Sequence, residues 1–191
     1  MSILLLWWTL RAQLEFNTKQ ETINNEQKKF NDASRVLAMQ SQIMQLDENI
    51  RFGYSTTEKT HEGKGSSSLK LLQRGTPARV TIPYEVLVSL IEKVHMLDAS
   101  VCSLVNVTKK SSLSEEEKKS TLSIALVFLS NILDFYGMVR DGGIEYLLPI
   151  NNLGKELIGL PNAQQELEDK INNYSPKVKS TKEACDKIIS A

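Results

Sequence analysis

Several things are scarce in this chain of 191 residues, and the first is charge of one sign. Lys and Arg together number 23, Asp and Glu together 23, and the formal net charge is +0. No global field draws the chain towards a polyanion, and no nucleic-acid partner is expected. There are only two cysteines, Cys102 and Cys185, too few for a disulfide framework and without the spacing of a metal site. A single bridge between them and a pair of reduced core thiols are both compatible with the sequence. Only two histidines, His61 and His95, are available for acid–base or ligand chemistry. Nine Gly and five Pro are present, several of them between residues 51 and 83, which leaves the rest of the chain free to form helices. No stretch shows the apolar–polar alternation of a half-buried strand.

What is present begins with MSILLLWWTLR. Ile3, Leu4, Leu5, Leu6, Trp7 and Trp8 form an unbroken apolar run. The run falls well short of the roughly 20 residues needed to span a bilayer. It has no Lys or Arg before Arg11 and no small-residue cleavage site after it, so it departs from a secretory leader. Indole rings suit a boundary where one side is apolar and the N–H stays wet. Residues 1–12 are therefore expected to be an attachment segment. Shallow insertion into a membrane surface, docking into an apolar groove and a degenerate leader are the three readings left open.

Residues 13–51 are expected to form one long amphipathic helix. Phe16, Ile23, Phe30, Leu37 and Met44 recur every seven residues, a spacing that holds them on one side of a helix and marks them as a partner-facing row. Val36, Ile43 and Ile50 stand one position earlier and widen the apolar face in the second half. The second core position of a heptad holds Lys19, Glu26, Ala33 and Gln40, which argues against a strict two-stranded coiled coil. A helix lying along a bundle, or projecting from one as a stalk, fits better. Residues 52–78 have no period and are rich in Gly, Ser and Thr, and are expected to be a flexible loop. Gly63-Lys64-Gly65-Ser66 is no phosphate loop, because the Gly that should precede the Gly-Lys pair by five positions is Glu58.

A helical bundle is expected over residues 79–191. Pro83 suits a first helical turn. It is followed at helical spacing by Leu87, Leu90, Ile91, Val94, Leu97, Val101, Leu104 and Val105. Ser114 and Glu117 have the spacing of a capping box. The helix they open is apolar nearly all round over residues 122–139, which makes it either the central helix of the bundle or a membrane-inserting segment. Asn131 and Asp134 in its second half favour the bundle, since a charge in lipid costs about 2.5 kcal/mol or more. A small helix carrying Leu167 and Ile171 should follow, and Ser175-Pro176 should start the last one.

One constellation has the residue types of a chemical site. Glu92, His95, Asp98 and Cys102 fall along one flank of a helix, and Glu92 with His95 has the E-x-x-H spacing of carboxylate–histidine metal sites in bundles. Such sites need a second copy of the motif on another helix, and none is present. No catalytic residue is assigned, no metal site beyond these four candidates, and no cofactor is expected. The fold class that follows is all-α, a long N-terminal helix followed by a helical bundle. The expected function is that of a non-enzymatic binding or structural subunit, tethered by its N-terminus to a membrane or a larger protein assembly. Its partners would be proteins, with a membrane surface reached through the apolar tip as the second candidate. A membrane-active protein inserting residues 122–139 is the alternative, and a metal-binding helical protein or enzyme centred on His95 the third.

Overall fold

The computed structural model describes residues 3–74, 79–148 and 163–190, with side chains from Leu6 onward. The protein is all-α with two small two-stranded sheets. Helix α1 runs from Ile3 to Glu48, 46 residues and so about 69 Å at 1.5 Å per residue. Strands β1 (Arg51–Ser55) and β2 (Thr60–Lys64) form a hairpin, and a 3-10 helix covers Ser66–Leu72. A short strand β3 (Ile82–Pro83) leads into α2 (Tyr84–Lys110), then α3 (Glu115–Arg140), β4 (Tyr146–Leu147) and α4 (Ala163–Ser190).

Only the second half of α1 belongs to the body. Val36 and Ile43 are buried, as is Ile50 just past its end, and this half packs along α2. Every side chain of residues 6–31 is exposed. The point where the helix leaves the body is pinned by Asp32, whose carboxylate accepts hydrogen bonds of 2.7 Å from both the backbone N–H and the hydroxyl of Ser112. Those two donors hold the Asp32 carboxyl below its usual range. At the other end Asp47 accepts the Ser66 N–H at 2.8 Å, which fastens the 3-10 helix beneath the last turn of α1.

The apolar residues of α2 at helical spacing are its buried face, from Leu87 to Val105. Helix α3 opens with the capping box: Ser114 Oγ accepts the Glu117 N–H at 3.3 Å, and Glu117 accepts the Ser114 N–H at 2.9 Å. It packs against α2, α4 and the 3-10 helix, burying Leu122, Ala125, Leu129, Ile132, Phe135, Tyr136 and Val139.

Three expectations need correction. The segment over residues 52–78, expected to be a flexible loop, is structured as far as Arg74. Antiparallel pairing runs from Arg51↔Lys64 to Ser55↔Thr60, with Phe52 opposite Gly63. Phe52 is buried, and its ring lies over Gly63, where any Cβ would collide with it. Leu69 and Leu72 of the 3-10 helix are buried too. Few apolar residues suffice here because one ring and two leucines dock onto a core that other elements complete. Second, α3 is not enclosed on all sides, since Ile124, Val127 and Asp134 are exposed. Third, Ser175-Pro176 starts no new helix: Pro176 lies inside α4. The inward row Leu167, Ile171, Tyr174, Val178, Cys185 and Ile188 continues through it, and that packing outweighs the lost hydrogen bond and the clash of the proline ring.

Candidate binding groove and buried polar cluster

The exposed half of α1 carries an unusual load. Leu6, Trp7, Trp8, Leu10, Leu14, Phe16, Ile23 and Phe30 are all more than half exposed, and Phe30 is the most open at 72%. Ile3, Leu4 and Leu5 continue the helix, but their side chains lie outside the described residues. Around them local contacts support the helix. Arg11 sits 5.5 Å above the Trp7 ring and 3.5 Å from Glu15, and the Thr18 and Thr22 hydroxyls bond back to the preceding turn. The row Phe16, Ile23, Phe30, Leu37 and Met44 is exposed along its whole length, while Val36 and Ile43, one residue earlier, are core. The two rows are separate surfaces.

The lower part of the exposed row forms one wall of a groove between α1 and α3. Three hollows of about 520, 300 and 90 Å³ follow one another along the junction. The first is flanked by Phe30, the second by Leu37 and the third by Met44. The first two share Ala33, Leu113 and Glu117, and the last two share Gln40 and Ile124, so the groove is continuous. It extends over residues 29–44 of α1, about four helical turns. Leu113, Ile124 and Phe128 form the opposite wall, and Ile43 and Leu104 the floor at its lower end. At the upper end the rim is polar and of mixed charge: Lys29, Glu115 and Glu117 line it, with Glu115 3.0 Å from Lys118 and Glu117 held by the Ser114 N–H at 2.9 Å. The groove is apolar from Ala33 to Met44, about three helical turns, and apolar grooves between helices are where amphipathic helices dock. Nothing in the spacing of α1 alone revealed the second wall. Its signal was the all-round apolar character of α3, which exceeds what its bundle neighbours cover.

The four metal candidates on α2 do not converge. Glu92 is engaged by Lys170 at 2.9 Å, Cys102 is buried, and only His95 and Asp98 meet, with His95 Nδ1 at 3.1 Å from Asp98 Oδ2. Among the described residues no group of three or more His, Cys, Asp and Glu side chains could hold a metal ion. What surrounds Asp98 instead is aromatic. The Tyr136 hydroxyl donates to the same Oδ2 at 2.6 Å, and the His95 ring stacks on Tyr174 with centroids 3.7 Å apart. Burial pushes the Asp98 carboxyl up, against the opposing pull of the Tyr136 and His95 hydrogen bonds and the positive charge of Lys177. Burial and the nearby Asp98 charge push the Tyr136 phenol far above its usual range. It is therefore a hydrogen-bond donor and a poor acid. Both thiols are free, buried and pushed up by that burial, so neither is an activated nucleophile. The arrangement joins α2, α3 and α4 at one buried carboxylate. Tyr136 and Tyr174 could not be anticipated, because each lies on a different helix from the charge it serves.

Helix α3 is also long and apolar enough to cross a membrane by length and composition. Asp134, in its second half, reaches the surface and lies 3.8 Å from Lys70. No family model, curated protein or solved structure matches the chain.

Proposed function

We propose that the protein is a non-enzymatic binding or structural subunit whose attachment element is the projecting half of α1. The observation that carries this reading is the exposure of residues 6–31 on a helix that is otherwise part of the body. A helix of this length with no tertiary packing is marginal in water, because most helical stability in proteins comes from covering an apolar face. Large apolar side chains along it favour association. The chemistry favours a protein surface over a lipid one. A helix lying in a membrane interface needs a broad apolar face and a polar face rich in Lys and Arg. From Phe16 on, the projecting part of this helix carries a single large apolar residue per seven, set among Gln, Asn, Thr, Glu and Lys. A narrow row of that kind fits between the side chains of another helix.

Removing residues 1–28 tests the assignment. The shortened chain keeps Asp32 and the whole buried core, and is expected to melt within a few degrees of the full chain. In native extracts the full chain is expected to migrate as part of a larger particle and the shortened one as a monomer. Loss of folding on truncation would make the projecting segment core, and a full chain that migrates as a monomer would remove the attachment role.

The length and composition of α3 support a second reading, in which that helix leaves the body and enters a bilayer. Asp134→Leu separates the two. In the bundle the residue forms an exposed ion pair, so the change should leave thermal stability and the alkali-resistant membrane fraction as they are. In lipid it would remove a cost of about 2.5–3.5 kcal/mol and raise that fraction markedly. An unchanged fraction is the expected result.

A further inference from the structure

We propose that the hollow between α3 and α4 is a binding site for one small carboxylate with an apolar body. The site shares no residue with α1, so it stands or falls independently of the attachment role.

The hollow measures about 250 Å³. Tyr136 and Ile171 are buried and form its floor. Leu133, Gly137 and Ser175 are half-buried walls, and Arg140, Pro176 and Lys179 stand exposed at the rim. Gly137 belongs to α3 and Pro176 to α4, and both are poor choices inside a helix. Glycine weakens a helix interior relative to alanine, and proline removes the N–H that would donate to the carbonyl four residues earlier. Packing does not call for the glycine. A Cβ at position 137 would meet no atom within 4 Å, and the residue does not have the positive φ that favours glycine. A larger side chain there would fill the hollow. Local rules broken without a return in packing are what a site kept open for a ligand requires.

Size and lining define the occupant. The hollow exceeds the roughly 150 Å³ of an engineered cavity that takes up benzene, and falls below the about 300–1,000 Å³ of pockets for drug-sized molecules. A single ring or a short chain fits it. The floor and the Leu133 and Pro176 walls are apolar, and the Tyr136 hydroxyl already donates to Asp98 at 2.6 Å, so the tyrosine offers its ring. Both charged residues of the lining are cations, and no carboxylate lines it. Arg140 is engaged by Asp141 at 2.8 Å, which largely offsets its charge. Lys179 forms no ion pair among the described residues, and Glu183, one turn further along α4, does not line the hollow. One uncompensated cation beside an apolar floor suits a singly charged head. Ser175, one turn before Lys179, adds a hydroxyl that can donate to it.

The test titrates the purified full chain with octanoate, kept below its micelle threshold, and with octan-1-ol, which has the same tail and no charge. Calorimetry is expected to show one saturable octanoate site per chain, and amide NMR shifts should concentrate in residues 133–140 and 171–179. Gly137→Leu should abolish that site while the melting temperature stays level or rises, because leucine favours the helix and its side chain enters open space. Lys179→Glu replaces an exposed attraction by repulsion and should weaken octanoate about tenfold, leaving octan-1-ol as it was. This rim change leaves the core untouched, so it reads the site even if Gly137→Leu folds poorly. Binding that never saturates, or shifts centred elsewhere, overturns the proposal. So does a folded Gly137→Leu chain that binds octanoate as the parent does. Equal binding of octanoate and octan-1-ol, unaffected by Lys179→Glu, overturns the carboxylate as the ligand.

Discussion

Ile43→Asp is expected to unfold the protein, while Leu37→Asp, on the same helix and apolar in the same way, leaves it folded. Ile43 is 2% exposed, and Leu37 is 64% exposed. An aspartate at position 43 would stand between α1 and α2 beside Leu104 and Phe128, in a hollow lined by no charged residue. A buried charge without a partner is among the few changes that cost more than about 4–5 kcal/mol. That is comparable to the whole stability of a typical domain, about 5–15 kcal/mol. At position 37 the carboxylate faces water and the change should stay within about 0.5 kcal/mol. Circular dichroism and thermal melts of the two variants give the answer. Comparable destabilisation by both would mean that the row from Phe16 to Met44 is part of the monomer's core.

The contrast between these neighbours shows where sequence periodicity stops. Seven-residue spacing located both rows on α1 and showed that they share one side of the helix. It could not say which row faces the body, because Val36, Ile43 and Ile50 differ from Leu37 and Met44 by one position, about 100° around the helix. The third dimension decides that, through α2 on one side only. The long apolar runs of α2 and α3, the Pro83 start and the Ser114–Glu117 cap were legible because each is local: its signal lies within one or two turns. The hairpin was not. Of its ten strand residues only Phe52 and Gly63 are buried, a pattern too sparse to show alternation. Its position depends on tertiary ties, Gly65 N–H to the Ile50 carbonyl and Ser55 to Thr81. Gly65 has φ 75°, a left-handed conformation that explains a glycine there after the fact. At Pro176 a local rule lost to packing spread over about six turns of α4.

The polar cluster makes the same point for the site. His95 and Asp98 share a face of α2 and could be paired from their spacing, whereas Tyr136 and Tyr174 come from α3 and α4. Their arrival turns a candidate ligand set into a buried carboxylate satisfied by neighbours. A buried polar group of this kind holds the helices in one arrangement, since sliding α3 strips Asp98 of the Tyr136 hydroxyl and sliding α4 unstacks Tyr174 from His95.

Tyr136→Phe should therefore destabilise the protein strongly at neutral pH and much less in acid. Tyr136 is 1% exposed and Asp98 2%, so water cannot replace the lost hydroxyl. A hydrogen bond to a buried charged group is worth about 1.5–3 kcal/mol, and one to a neutral carboxylic acid about half that or less. The pH at which the cost grows is set by Asp98, whose carboxyl is raised in the folded state, chiefly by burial. From its ordinary value of 3.8 up to the raised folded value, the native state holds a proton that the unfolded chain has released. Stability from this group is thus complete below 3.8 and is lost as pH rises through the folded value. Above it the contribution is level. The carboxyls of Asp32, Glu117, Asp141 and Glu145 are lowered and act in the opposite direction, gaining stability as pH rises through the acid range, so the total curve mixes the two. Asp98→Asn isolates the contribution of this carboxyl. The amide oxygen still accepts from Tyr136 and carries no charge, so the variant should match the parent in acid and exceed it at neutral pH. Urea unfolding of parent, Asp98→Asn and Tyr136→Phe from acid to neutral pH measures all three. A Tyr136→Phe cost that is the same at both ends would show that Asp98 stays neutral throughout. A variant Asp98→Asn less stable than the parent at neutral pH would instead make the charge itself, through His95 and Lys177, the stabilising element.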